Sequence, residues 1–150
     1  MDKKGQAWLG GGVGGIVIAV IVILVIWNVY YAHPYKLDNI TVDKLNLPSY
    51  SGQTNIYFDV VNNADTTLVG KVELQVNNDT NSCFYPVAEK ELAQIQPKSS
   101  NNRYYVTLST NNANQKPACI GKSFDITLRL KDSFGKVLDE KTISGIGIVQ

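Results

Sequence analysis

The sequence predicts a mainly β protein, with one N-terminal transmembrane α-helix followed by an antiparallel β-sandwich of about seven strands. Two observations predict this fold class. Between Lys4 and Lys36 the only residue that can carry a charge is His33, and most of that segment is aliphatic. From Leu37 onward, apolar and polar residues alternate in short runs separated by Asn, Gly and Pro, a pattern typical of β-strands joined by turns.

The apolar segment predicts the helix. Ala7 to Trp27 is 21 residues, which as an α-helix would extend roughly 32 Å, enough to cross the hydrocarbon core of a bilayer. Trp8 lies at one end, and Trp27, Tyr30, Tyr31 and Tyr35 lie at the other, as expected of aromatic anchors at two interfaces. The predicted organisation is a charged N-terminal segment, a transmembrane helix, a linker and an extracellular β-sandwich domain, over residues 1–6, 7–31, 32–36 and 37–150.

Two other interpretations of the apolar segment are less favoured. A helix buried in a soluble core would have a polar face, whereas this segment is apolar all round. A cleaved secretory signal would have a core of roughly 7–15 apolar residues that ends in small residues. Here the run ends in Trp27-Asn28-Val29-Tyr30-Tyr31, which is bulky.

The remaining chain predicts the sandwich. Ala32-His33-Pro34 ends the helix, because a residue before proline avoids the α region. In Lys131–Lys136, Gly135 stands where a tight hairpin needs a positive φ. The strands are predicted over Lys36–Asn46, Asn55–Val61, Leu68–Val76, Phe84–Ala93, Arg103–Ser109, Phe124–Leu130 and Val137–Val149.

The two cysteines, Cys83 and Cys119, fit no zinc or redox motif. A bridge between them would close a loop of about 37 residues and add about 4 kcal/mol of stability by the chain-entropy estimate. An extracellular domain favours the disulfide, and two buried free thiols are the alternative. Asn39 and Asn78 begin glycosylation tripeptides, which also fit an extracellular domain, whereas the lysine count leaves the orientation open.

The first residues carry a family resemblance. Lys3-Lys4-Gly5-Gln6-Ala7, followed by a long uncharged run, resembles the class III signal of archaeal type IV pilins. The resemblance implies that a membrane peptidase recognises Lys3, Lys4, Gly5 and Gln6 and cuts after Gly5, so that the helix stays with the mature chain. The glutamate that bacterial pilins carry five residues into the mature chain is absent here, and Gly10 stands in its place.

The sandwich carries a second resemblance. The stretches Thr54–Asn77 and Asp125–Lys141 resemble the early strands and the last hairpin of archaeal cell-surface immunoglobulin-like modules. This resemblance implies an immunoglobulin-like sandwich exposed outside the cell.

Glycines crowd the first turns of the predicted helix. The pairs Gly10/Gly14 and Gly11/Gly15 have the small-xxx-small spacing that lets helix backbones approach closely. Each glycine costs a helix interior about 1 kcal/mol, so close helix packing would explain them. The alternative is a frayed helix end near the lipid headgroups.

No pattern predicts catalysis, a cofactor or a metal. His33 is the single histidine and has no catalytic partner near it in sequence, and no nucleotide-binding or nucleophile motif occurs. The oxygen-rich Asn77–Ser82 lacks the glycine and distant glutamate of an EF-hand, so we expect a solvated turn. Asp59, Glu73 and Asp125 are expected to face solvent.

Two functions remain open. The first is a non-enzymatic pilin-like subunit, with membrane lipid as one partner and self-association through the N-terminal helix. The second is an uncleaved, membrane-anchored adhesion, binding or accessory module with an unknown extracellular partner. The net charge of +1 argues against nucleic acid as a partner. Both predict a single-pass protein of the cell membrane with its C-terminal domain outside, and the first adds surface filaments.

Overall fold

The computed structural model describes residues 18–27, 33–86 and 88–150. The chain divides into two compact units, Met1–Pro34 and Tyr35–Gln150. The first unit contributes one helix to the described residues, and the second contributes the β-sandwich.

The predicted transmembrane helix over residues 7–31 is wrong. Within the described residues the helix covers 18–27, and ten helical residues rise about 15 Å, half of the roughly 30 Å of a hydrocarbon core. Within the described residues, no helix is both long enough and apolar enough to span a bilayer. The prediction took the length of the apolar run as the length of a helix, whereas hydropathy gives only the length of the apolar run.

Several sequence predictions fall outside the described residues. These are the aromatic anchors Trp8, Tyr30 and Tyr31, the processing residues Lys3, Lys4, Gly5 and Gln6, and the packing glycines Gly10, Gly11, Gly14 and Gly15. The cut after Gly5 and the close helix packing therefore stay predictions.

The second unit is a sandwich of two sheets. One sheet has the order β1-β3-β6 and the other β2-β8-β7-β4-β5. The mainly β prediction is confirmed, but a wholly antiparallel arrangement is wrong, because β2 runs parallel to β8. The strands are β1 Tyr35–Val42, β2 Asn46–Pro48, β3 Gln53–Asn62, β4 Gly70–Val76, β5 Ala88–Glu91, β6 Ser99–Ser109, β7 Ser123–Asp132 and β8 Val137–Val149.

One apolar core joins the two sheets. Alternate residues of β3 and β7 point inward and are fully buried, among them Phe58 and Leu128 at 0% exposure. Burying a side chain of this size stabilises the fold by about 1.5–3 kcal/mol. The core therefore holds the sheets face to face and leaves their other faces to carry the polar residues.

The predicted first strand is two strands in different sheets. The register of β1 against β3 shifts between Asp38 and Thr41, and Asn39 has a left-handed φ of 46°. This β-bulge is followed by the passage of the chain to the opposite sheet, where β2 begins at Asn46. The resulting strand orders place β1 at an edge of the three-stranded sheet and β2 at an edge of the five-stranded sheet.

The predicted disulfide is confirmed. The Sγ atoms of Cys83 and Cys119 lie 2.04 Å apart, and both residues are fully buried. The bridge ties the loop after β4 to the short 3-10 turn Pro117–Cys119 before β7. It therefore fixes loops at one end of the sandwich and does not connect strands across the core.

The β7–β8 connection is tight, as the sequence predicted. Gly135 has a φ of +85°. One oxygen of the Asp132 carboxylate, Oδ1, accepts from the backbone N–H groups of Phe134 and Lys136, both at 2.9 Å. These bonds fix the conformation of the hairpin tip.

Replacing both cysteines tests the contribution of the bridge. We expect the double variant Cys83→Ala/Cys119→Ala to lose about 4 kcal/mol of unfolding free energy, because the unfolded chain regains the entropy of a loop with a sequence separation of 36. Urea denaturation measures the change. Dithiothreitol should destabilise the wild type similarly and leave the double variant unaffected; equal stability of both proteins without reductant would contradict the prediction.

Candidate interaction surfaces

The helix over 18–27 exposes apolar side chains along its whole length. The exposed fractions run from 45% at Ile26 to 65% at Ile18. Residues 18–26 are all aliphatic and residue 27 is tryptophan, so every face of this helix is apolar. We call these residues the apolar helix; its large exposed residues are Ile18, Val20, Ile21, Val22, Ile23, Leu24, Val25, Ile26 and Trp27.

The outer face of the five-stranded sheet carries a ladder of ion pairs. Glu73 lies 2.5 Å from the Nζ of Lys131 on β7 and 3.5 Å from that of Lys71 on its own strand. The Lys71 Nζ also lies 3.1 Å from Glu89 on β5. The hydrogen bond from Lys131 lowers the pKa of Glu73, and the hydrogen bond to Glu89 raises the pKa of Lys71. Because these charges are paired with one another, we interpret this face as a surface that contacts solvent.

The outer face of the three-stranded sheet holds a buried carboxylate. Asp59 is only 8% exposed, so its predicted exposure to solvent is wrong. The Nδ2 of Asn39 donates to its Oδ2 at 2.7 Å, and the Arg103 guanidinium donates to its Oδ1 at 3.3 Å. Arg103 also donates to the Asn39 carbonyl at 2.6 Å and to the Thr41 hydroxyl at 2.8 Å. The bulge in β1 and the β6 side chain together cover the carboxylate.

A row of rings and cations continues along this face. The Tyr57 and Tyr105 ring centroids lie 5.6 Å apart. The Arg103 guanidinium lies 5.6 Å from the Tyr57 centroid, and the Lys90 ammonium lies 5.7 Å from that of Tyr105. Each ring thus has a cation over it, which stabilises the face by cation–π attraction and leaves less ring surface for a ligand to stack on.

The two ends of the five-stranded sheet carry apolar features, unlike the polar outer faces. At the β7–β8 hairpin, the Phe134 side chain is 95% exposed. At the opposite end, a hollow of about 310 Å³ is lined by Val76, Phe84, Tyr85 and Pro86, with polar residues Gln75, Asp79, Ser82 and Asn111 also lining it. We call this the aromatic hollow.

The remaining candidate residues have structural contacts. The Asp79 carboxylate accepts from the backbone N–H groups of Cys83 at 2.8 Å and Phe84 at 3.0 Å, so the oxygen-rich turn closes on itself. In the described residues, no group of three or more His, Cys, Asp or Glu is placed to hold a metal ion. Asn78 is exposed in a turn, whereas the Asn39 amide is bonded to Asp59. Glycosylation and the absence of catalysis stay predictions.

The alternation in the sequence placed most of these residues on outer faces. It could not place Asp59 beside Arg103, because that contact depends on the register between β3 and β6 and on the bulge at Asn39. The hollow also had no signal in the sequence, since its shape depends on how the segment 75–86 folds back beside Asn111, whose backbone N–H donates to the Cys83 carbonyl.

Comparison with known proteins supports the fold alone. No protein-family model matches the chain, and no curated protein is significantly similar to it. Among solved structures, the crystal structure of a FixG-related protein from Vibrio parahaemolyticus is similar, with a TM-score of 0.50 and 14% sequence identity. The match covers 76% of this chain and 96% of that chain.

The ion-pair ladder predicts a pH dependence of stability. Because the pKa of Glu73 is lowered in the folded state, its contribution is present above the ordinary glutamate pKa of about 4.3 and is lost as the pH falls through the lower folded value. Glu73→Gln should therefore narrow the difference in unfolding free energy between neutral and acid pH, measured by urea denaturation. Glu91→Gln, at a glutamate without an ion pair in the described residues, is the control, and equal narrowing in both variants would contradict the prediction.

The buried carboxylate predicts a second result. Arg103→Met should destabilise the protein by about 1–3 kcal/mol, because it leaves a buried charged acceptor with fewer donors. Asp59→Asn in the same chain should recover part of that loss, and a double-mutant cycle from urea denaturation measures the coupling. The exposed pair Lys98–Asp65, whose side chains are 58% and 83% exposed, is the matched control. A coupling no larger than in Lys98→Met/Asp65→Asn would argue against this role for Arg103.

Proposed function

We propose that this protein is a non-enzymatic, pilin-like structural subunit. Its apolar helix packs against the apolar helices of other copies in the core of a filament at the cell surface. Its β-sandwich lies on the outside of that filament. The apolar helix is the observation that carries the proposal.

The exposed apolar side chains of the apolar helix support the proposal that another molecule covers it. Nine of its ten side chains are large and apolar, and each is 45–65% exposed in the single chain. Covering the remaining area of one such side chain contributes about 1 kcal/mol. A helix that is apolar on every face is suited to contacts on all sides at once, and a bundle of identical helices provides such contacts.

The composition of the helix favours other copies of the same chain as the cover. Apart from the indole N–H of Trp27, this helix has no charged or hydrogen-bonding side chain that would select a particular foreign partner, whereas identical helices pack at a high local concentration once a filament has begun. The resemblance at Lys3–Ala7 to a class III signal agrees with this assembly.

The sandwich has properties suited to the outside of a filament. Its outer faces carry paired charges and hydrogen-bonded polar groups, and its loops are tied by a disulfide. Disulfides persist in oxidising surroundings, which favours a position outside the cell.

A matched pair of substitutions tests the role of the apolar helix. Leu24 on the helix is 61% exposed and Leu45 on the sandwich is 52% exposed. We expect Leu24→Asp to abolish filaments and large assemblies, because the charge would be buried among helices in the core. Leu45→Asp should assemble like the wild type. Sedimentation velocity and negative-stain microscopy at micromolar concentration, without lipid, distinguish the outcomes.

Two results would contradict the proposal. One is a Leu24→Asp variant that assembles as the wild type does. The other is a wild-type chain that stays monomeric in water and binds only to lipid vesicles. N-terminal sequencing of the protein from its native cells tests processing separately: a mature chain that begins at Gln6 fits the pilin-like maturation, and one that keeps Met1 does not.

A further inference from the structure

Phe134 is a preformed apolar projection. It is 95% exposed at the tip of the β7–β8 hairpin, the largest exposed fraction among the large apolar residues of the described chain. Its backbone N–H is held by the Asp132 carboxylate, and Gly135 provides the positive φ that the turn requires. The ring is therefore presented on a fixed backbone, and little conformational entropy is lost when it is buried in a partner.

The aromatic hollow is a preformed site of suitable chemistry. Phe84 forms a buried part of it and packs edge-on against Phe124, with ring centroids 5.2 Å apart. Tyr85, 55% exposed, is another lining residue. The disulfide at Cys83 and the bonds from Cys83 and Phe84 to Asp79 hold this segment in place. Interface anchors cluster in well-packed pockets that lose their water on binding, and the apolar residues of this hollow provide walls for such an anchor.

The projection and the hollow lie at opposite ends of the same sheet. Gly70 of β4 pairs with Asp132, next to the hairpin tip, whereas Val76 of β4 pairs with Ile126 and lines the hollow. Six residues of extended strand separate these ends by about 20 Å. One copy therefore cannot place its Phe134 in its own hollow, but it can place it in the hollow of another copy.

We propose that the sandwich domains of successive copies contact one another end to end, with Phe134 of one copy seated in the aromatic hollow of the next. The contact is heterologous: it joins two different patches and leaves one of each free, so it continues along a line. The occupant of the hollow is thus a second copy of this chain. The contact goes beyond the packing of the apolar helix, since it involves residues of the sandwich alone.

The nearby carboxylates are compatible with this contact. At the projection, Asp132 accepts two backbone hydrogen bonds through one oxygen. At the hollow, Asp79 accepts two through both of its oxygens. The Lys116 ammonium donates to the carbonyls of Ser82 and Asn111, two lining residues of the hollow. A charged group that is already hydrogen-bonded within its own copy costs less free energy to bury in the contact.

A complementation experiment tests the proposal in the full chain. All proteins carry Leu24→Asp, so that helix packing does not obscure contacts between sandwiches, and they are studied at millimolar concentration because a contact centred on one ring is weak. Phe134→Ser removes the projection, and Tyr85→Asp places a charge in the hollow. Both positions are exposed, and the backbone N–H of Tyr85 keeps its bond to Ser109. Circular dichroism confirms that each variant folds.

We expect the parent to form a continuing series of oligomers in sedimentation velocity. Adding either Phe134→Ser or Tyr85→Asp to this parent should weaken its self-association about tenfold, as the loss of a central anchor does. An equal mixture of the two variants should associate again but stop at dimers, since each pair then retains one intact projection and one intact hollow. A mixture no more associated than its components would overturn the proposal, as would undiminished association of the Tyr85→Asp variant alone.

A photo-crosslinking amino acid at position 134 tests the same contact without a variant of the hollow. In the otherwise native chain, mass spectrometry should locate the cross-link between position 134 of one copy and residues 75–86 or 111 of another. Cross-links between two hairpin tips, or none between copies, would overturn the proposal. These outcomes are independent of the comparison between Leu24→Asp and Leu45→Asp, so failure here and failure of the proposed filament core can be distinguished.

Discussion

The packing of two sheets on one apolar core is the constraint on which the sandwich depends. The inward residues of β3 and β7, such as Ile56, Phe58 and Leu128, are fully buried, and the side chains between them point outward by the two-residue period. Most polar side chains on those strands are thereby assigned to an outer face, with Thr54 and Asn62 of β3 as buried exceptions. The ion-pair ladder of one sheet and the covered carboxylate of the other are consequences of that assignment, each completed by residues of neighbouring strands.

The alternation along the sequence was sufficient for the strands that lie wholly in one sheet. The predicted strand Val137–Val149 has the same bounds in the structure, and β3 and β7 differ from their predictions only at the ends. The first strand failed because alternation carries no information about a bulge or a change of sheet. Asp59 failed for the same reason: its position in the strand was outward, but the left-handed Asn39 brought an amide over it.

The predicted transmembrane helix failed for another physical reason. An apolar sequence shows that its side chains avoid water, but it does not determine how many of its residues form a regular helix. The described stretch 18–27 is helical although most of its residues are β-branched and have lower helix propensity than leucine or alanine, so apolarity and helix formation are separate properties in this segment. The aromatic hollow was equally beyond sequence reasoning, because its shape depends on how the segment after β4 folds back beside Asn111. The Cys83–Cys119 bridge and the Asp79 hydrogen bonds help to hold that segment in place.

The two apolar surfaces of the described chain would contribute different things to an assembly. The apolar helix offers a large area but little direction, because hydrophobic burial is proportional to area and independent of orientation. The Phe134 projection and the hollow offer a small area with fixed geometry, set by a hairpin at one end of β4 and a cross-linked loop at the other. In the proposed filament the helices would therefore supply most of the free energy of association, and the sandwich contact would select the spacing and rotation between neighbouring copies. A filament held by helices alone would tolerate many registers, so the repeat of the assembly would depend on the weaker of the two contacts.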